Sequence, residues 1–89
     1  MLAFEVSLNG DKLCLAGIGN HGVLSSIVSW VARPGETGDL FLSVGGLFSP
    51  TEQHVDWVRT RYLSAGDEIR VRIVEADCVD KPSEKLATR

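Results

Sequence analysis

Apolar and polar residues alternate along most of this chain, and turn residues separate the alternating runs. In residues 66–75, Ile69, Val71 and Ile73 recur at every second position, with Arg70 and Arg72 in the gaps. That is the period of a strand with one dry and one wet face, begun by the turn Gly66-Asp67. On this reading the strand is the centre of the fold, and the rest of the chain covers its dry face.

The first nineteen residues read as a β-hairpin. Leu2, Phe4, Val6 and Leu8 alternate with Ala3, Glu5, Ser7 and Asn9, and Asn9-Gly10 supplies the two positive-φ residues of a type I′ turn. With that loop, Leu8 faces Asp11, Val6 faces Leu13 and Phe4 faces Leu15. The apolar residues of both arms then share one face, while Ser7 meets Lys12 and Glu5 meets Cys14. Residues 17–22, Gly-Ile-Gly-Asn-His-Gly, match G-x-G-x-x-G, whose glycines can let a backbone cradle a pyrophosphate at a helix N-terminus. The setting argues against that chemistry. The preceding strand is the return arm of an antiparallel hairpin, and 89 residues cannot hold the several parallel βαβ units a dinucleotide fold needs. The segment is read as a glycine-rich turn, and no cofactor is expected.

Residues 23–32 carry two periods. Leu24, Ile27, Val28 and Val31 have helical spacing, yet Leu24, Val28, Trp30 and Ala32 also share one side of a strand. Val, Ile and Trp dominate, serines stand where a stable helix would carry Ala, Glu or Lys, and no capping box precedes them, so a strand is predicted. Arg33-Pro34-Gly35 ends it, and residues 36–39 extend the loop. Leu40, Leu42 and Val44 form the core side of the next strand. Gly45-Gly46 then makes a bulge or bend before Leu47 and Phe48 re-enter the core. After the turn at residues 49–52, residues 54–60 read as a strand whose inward face the pattern leaves open. Polar residues and Pro82 dominate from Asp77 on, so residues 77–89 are predicted to be a flexible tail behind a single β domain of residues 1–76.

Short strands spaced by turns predict an all-β fold, a small antiparallel sandwich or barrel of about six strands. The alternative is one helix at residues 23–32 on an antiparallel sheet. A length of 89 residues, 44% hydrophobic and 24% charged, fits one globular domain. A formal charge of −3 makes nucleic acid an unlikely partner, since nonspecific phosphate binding rests on surplus Lys and Arg. No apolar run approaches the roughly 20 residues that cross a bilayer, and no export leader is visible, so no membrane partner and a cytoplasmic location are expected. Two cysteines, Cys14 and Cys78, are read as reduced thiols.

Candidate chemistry is sparse. Cys14, His21, His54 and Cys78 have no metal-ligand spacing, and no serine sits on a nucleophile turn, so neither a metal nor a catalytic residue is assigned. The best candidate is a binding patch of Trp57, Arg59, Arg70 and Arg72. If the Trp57 strand paired antiparallel with residues 69–74, Arg59 would lie near Arg70 and Arg72 near Trp57, offering guanidinium groups and a π surface to an acidic loop or a phosphate. The competing reading is a solvated face on which the arginines pair with Glu68, Asp56 or Glu5. Trp30, Phe41, Phe48, Trp57 and Tyr62 cannot all face one side of a single sheet. Either two sheets enclose them or an apolar patch is left for a partner or a second copy.

In residues 66–77, together with Val55-Asp56-Trp57, the chain resembles small uncharacterised bacterial proteins with no assigned activity. The resemblance spans roughly the C-terminal half and implies no activity and no functional residue. The expected function is therefore binding without catalysis: a module with a protein partner, such as an inhibitor or immunity-like accessory protein. The alternative is a β-barrel that binds a small anionic or sugar ligand. Homodimer formation is left open.

Overall fold

The structure, a computed structural model, describes residues 1–87. Among these the chain forms β1 (Leu2–Leu8), β2 (Asp11–Ala16), β3 (Gly22–Arg33), β4 (Glu36–Phe48), β5 (Gln53–Tyr62), β6 (Ile69–Glu75) and β7 (Glu84–Ala87). They make two antiparallel sheets, ordered β2-β1-β6 and β3-β4-β5-β7, arranged as a sandwich. The fold is all-β as the alternation predicts. Residues 23–32 are strand and not helix, in keeping with their β-branched composition.

The first hairpin forms at Asn9-Gly10, with φ of 52° and 86°, and Leu8 faces Asp11 while Ser7 faces Lys12. Beyond that the register departs from the alternation. A bulge at Leu13 shifts the pairing by one, so that Val6 faces Cys14, Glu5 faces Leu15 and Phe4 faces Ala16. Cys14 and Ala16 are therefore buried, where Leu13 and Leu15 were expected. Small side chains at these two positions leave room for the Trp57 indole, which belongs to the same core cluster, at the place where β2 and β5 bring the two sheets together.

Burial raises the pKa of the Cys14 thiol to about 11, and the nearby Asp80 carboxylate adds to the effect. Cys78 is exposed. A disulfide-exchange reagent at pH 8 is therefore expected to titrate one thiol quickly in the native protein and two in denaturant, because the thiolate is the attacking species. Two fast native thiols would show that Cys14 is not enclosed.

β3 and β4 form a long hairpin closed by Pro34-Gly35, and Arg33 faces Glu36 across the turn. Residues 36–39, read as loop, are instead the first residues of β4. β5 carries the features that alternation could not resolve. Its pairing with β4 skips a residue at Trp57 and another between Val58 and Arg61. A bulge lets two successive side chains point the same way. Val55 and Trp57 are buried and Val58 packs against the same core, while His54 and Asp56 point outward. Val6, Leu42 and Val44 complete the centre of that core.

The β6 segment is not the centre of the fold. β6 is an edge strand paired only to β1, with Val71 40% and Ile73 70% exposed. Ile69 alone of its three alternating apolar residues packs against the core. The sheets meet at β2 and β5, so the second sheet does not reach the far end of β6. Its N-terminal end is latched to the first hairpin. Asn9 N–H donates to the Glu68 carbonyl (2.9 Å), Glu68 N–H to Asn9 Oδ1 (2.9 Å), and Asn9 Nδ2 to Asp67 Oδ1 (3.0 Å). The Asn9 bond, helped by the Ser64 N–H, holds the Asp67 carboxyl below its ordinary pKa.

Residues 77–89 were read as a flexible tail, but most of that segment is tied to the domain. The Asp80 N–H donates to the Leu15 carbonyl (2.9 Å) and the Leu15 N–H to Asp80 Oδ2 (2.8 Å). Ser83 bonds to the Asp56 carbonyl, and β7 pairs antiparallel with β5. Residues 88 and 89 lie outside the described residues. Polar composition missed this because the contacts are hydrogen bonds made by backbone groups and by the Asp80 and Ser83 side chains, none of which needs an apolar side chain.

Candidate binding face

The patch proposed from sequence is not assembled. It required β5 to pair with β6, and β6 pairs with β1 in the other sheet. Trp57 is 8% exposed, and its indole N–H donates to the Asp80 carbonyl at 2.8 Å, so it offers no stacking surface. Arg59 stands exposed on β5, and its carbonyl accepts a bond from Ser43 Oγ at 3.1 Å. Arg70 and Arg72 are exposed on β6, with Arg72 3.4 Å from Glu5. That pair matches the competing reading, a solvated charged face, and an exposed ion pair of this kind contributes about 0–1 kcal/mol.

A different surface stands out on the outer side of the four-stranded sheet. Residues directly opposite in an antiparallel pair point to the same side, and two strand pairings define this face. Val23 faces Leu47, Ser25 faces Gly45 and Ile27 faces Ser43 between β3 and β4, while Gly45 faces Asp56 and Leu47 faces His54 between β4 and β5. Because Gly45 has no side chain, the middle of the face is a shallow trough of about 250 Å³. Val23 and Ile27 form one wall and His54 and Asp56 the other. Val23 and Ile27 are more than half exposed, and further along the strands Tyr62 meets Phe41 edge-on, with ring centroids 6.4 Å apart.

His54 and Asp56 are two residues apart on one side of a strand, and among the described residues no hydrogen bond joins their side chains to each other or to a serine hydroxyl; the Ser83 hydroxyl reaches only the Asp56 backbone carbonyl. The trough sets apolar area beside groups that can donate and accept hydrogen bonds, the mixture from which protein-binding surfaces are made. Among the described residues no cluster of His, Cys, Asp and Glu could hold a metal ion, and no helix is long and apolar enough to cross a membrane. The Gly17 to Gly22 segment runs directly into β3, so it has no helix N-terminus to which a pyrophosphate could bind.

No protein family, no curated protein and no solved structure matches the chain. The face rests on geometry alone. One signal for it was present in the sequence. Val23, Ile27 and Val31 share one strand face, and Leu24, Val28 and Trp30 the other, so a strand here has apolar residues on both sides. A strand of that kind is buried twice or left partly uncovered.

Proposed function

We propose that this protein is a non-catalytic binding module, of the inhibitor or immunity type, that docks a protein partner on the outer face of the β3-β4-β5 sheet. The observation that carries the reading is the exposure of Val23 and Ile27 across the Gly45 trough from His54 and Asp56. Scattered exposed apolar residues are ordinary, but here Val23 and Ile27 line one trough with a polar wall opposite, and that mixture of apolar area and hydrogen-bonding groups is the form in which partner sites occur. A sheet face also suits stoichiometric blocking, because it presents a rigid surface that loses little conformational freedom on docking.

The test is affinity capture from the native host with the wild-type protein and with a His54→Ala/Asp56→Ala double variant. Both substitutions are on β5, two strands from the β3 edge. The expected result is one stoichiometric protein retained by the wild type and reduced at least tenfold with the variant, at unchanged circular dichroism. Equal retention by both proteins, or no stoichiometric protein with the wild type, would overturn the reading.

A further inference from the structure

β3 is the terminal strand of its sheet, so the backbone N–H and C=O groups on its outer edge have no strand partner among the described residues. Exposed edges of this kind are normally guarded by charge, proline or a bulge, because they template pairing with another chain. The other sheet follows that rule. β2 carries Asp11 and Lys12 and a bulge at Leu13, and β6 carries Arg70, Arg72 and Glu75. β3 does not. From Val23 to Ala32 it has no charged residue and no proline, and its pairing with β4 is regular from Gly22 to Val31. It also exposes large apolar side chains on both faces, among them Ile27 at 51%, Val28 at 54% and Trp30 at 62%.

The strand is also close to a palindrome. About Ile27, Val23 mirrors Val31, Leu24 mirrors Trp30, Ser25 mirrors Ser29, and Ser26 mirrors Val28. Two copies of an edge strand related by a two-fold axis normal to the sheet pair antiparallel, and each residue meets its mirror image about the axis. The operation keeps outer side chains with outer and inner with inner. With the axis at Ile27, valine meets valine, serine meets serine and isoleucine meets isoleucine on the outer face, while leucine meets tryptophan on the inner face. Moving the axis to Val28 sets Ile27 against Ser29, Ser25 against Val31 and Val23 against Arg33. The register at Ile27 matches like with like over the whole outer face from Val23 to Val31, the longest such overlap the strand allows.

The chain exposes 6006 Å², against roughly 5,100 Å² for a folded monomer of its mass, 9.7 kDa, and the large apolar side chains of β3 are part of that surface. We propose that two copies of this chain join edge to edge through β3, with Ile27 on the two-fold axis, to form one continuous eight-stranded sheet. The contact closes on itself, because pairing uses up the β3 edge of both copies. The dimer also places two troughs side by side on one outer face. The proposal does not depend on the identity of the docked partner, and it is tested on purified protein alone.

Light scattering coupled to size exclusion should give twice 9.7 kDa for the wild type. Ile27→Lys sets two charges against each other on the axis and should give the monomer mass with unchanged circular dichroism. Register is read by cross-linking in a Cys78→Ser background, with oxidised glutathione as electron acceptor. Ile27→Cys meets its own copy at a Cα separation of about 4.5–5.5 Å, within disulfide reach, and should cross-link to dimer. Val31→Cys lies roughly 27 Å from its own copy, at 3.4 Å per residue, and should not. Val31→Cys mixed with Val23→Cys should form the mixed dimer. A monomeric wild type, a dimer indifferent to Ile27→Lys, or Val31→Cys self-linking as fast as Ile27→Cys would each overturn the proposal. Val23 and Ile27 belong to both surfaces, but the dimer is read on purified protein alone and partner capture through the His54→Ala/Asp56→Ala variant, so failure of one is distinguishable from failure of the other.

Discussion

Trp57→Ala lowers the stability of this fold by about 3–5 kcal/mol, the range for emptying a buried tryptophan site. The indole belongs to the same buried cluster as Cys14 and Ala16, where the two sheets meet, so its removal opens a cavity at the junction and not at the rim. It also removes the donor to the Asp80 carbonyl, the residue that is bonded twice to Leu15 on the opposite sheet. Trp57→Phe separates the two effects. It keeps most of the packing and loses the N–H, with a cost of about 1–3 kcal/mol for the carbonyl left without its partner. Denaturant unfolding followed by circular dichroism measures both, and a shift of midpoint at constant slope is the signature. A cost near zero for Trp57→Ala would mean that the sheets are held together elsewhere.

Gly46→Ala is expected to be nearly as damaging, although it adds a single methyl group. Gly46 faces Leu24, and a Cβ built on it would lie inside contact distance of the Val23 carbonyl oxygen. That atom is backbone and cannot rotate away as a side chain would, so β3 must shift off β4. Overpacking of this kind costs about 1–3 kcal/mol, occasionally more. Hydrogen exchange should locate the effect, with amides of β3 and its partners on β4 losing protection while β1 and β2 keep theirs. Uniform loss across both sheets, or no loss, would contradict the close approach.

Legibility differed from strand to strand for physical reasons. The turn at Asn9-Gly10 could be read because two positive-φ residues between apolar runs have few alternatives. The bulge at Leu13 could not, since the residues it turns inward, Cys14 and Ala16, share a core with Trp57, which is distant in sequence. β3 was correctly assigned as a strand from its β-branched composition, but alternation alone does not say whether its two apolar faces are covered. β6 shows the opposite failure. Its pattern is the cleanest in the chain, yet period reports which residues share a side and not whether another sheet lies over them. The arginine patch failed on strand order. Arg70 and Arg72 do share a face, as read, but Trp57 belongs to the other sheet and points inward. The trough was missed because its floor is a glycine, which carries no side chain to mark it.

The Asp80 bridge bears on how the chain is made. During vectorial synthesis the first hairpin leaves the ribosome early, but its β1 arm waits for β6, and its β2 arm for a residue still later in the chain. The nascent chain therefore exposes two unfinished sheets until the segment from Asp80 to β7 has emerged. Contacts so far apart in sequence favour slow folding. A ribosome stall shortly before Asp80 would leave the hydrophobic face of β1 and β2 open to chaperones or to neighbouring nascent chains.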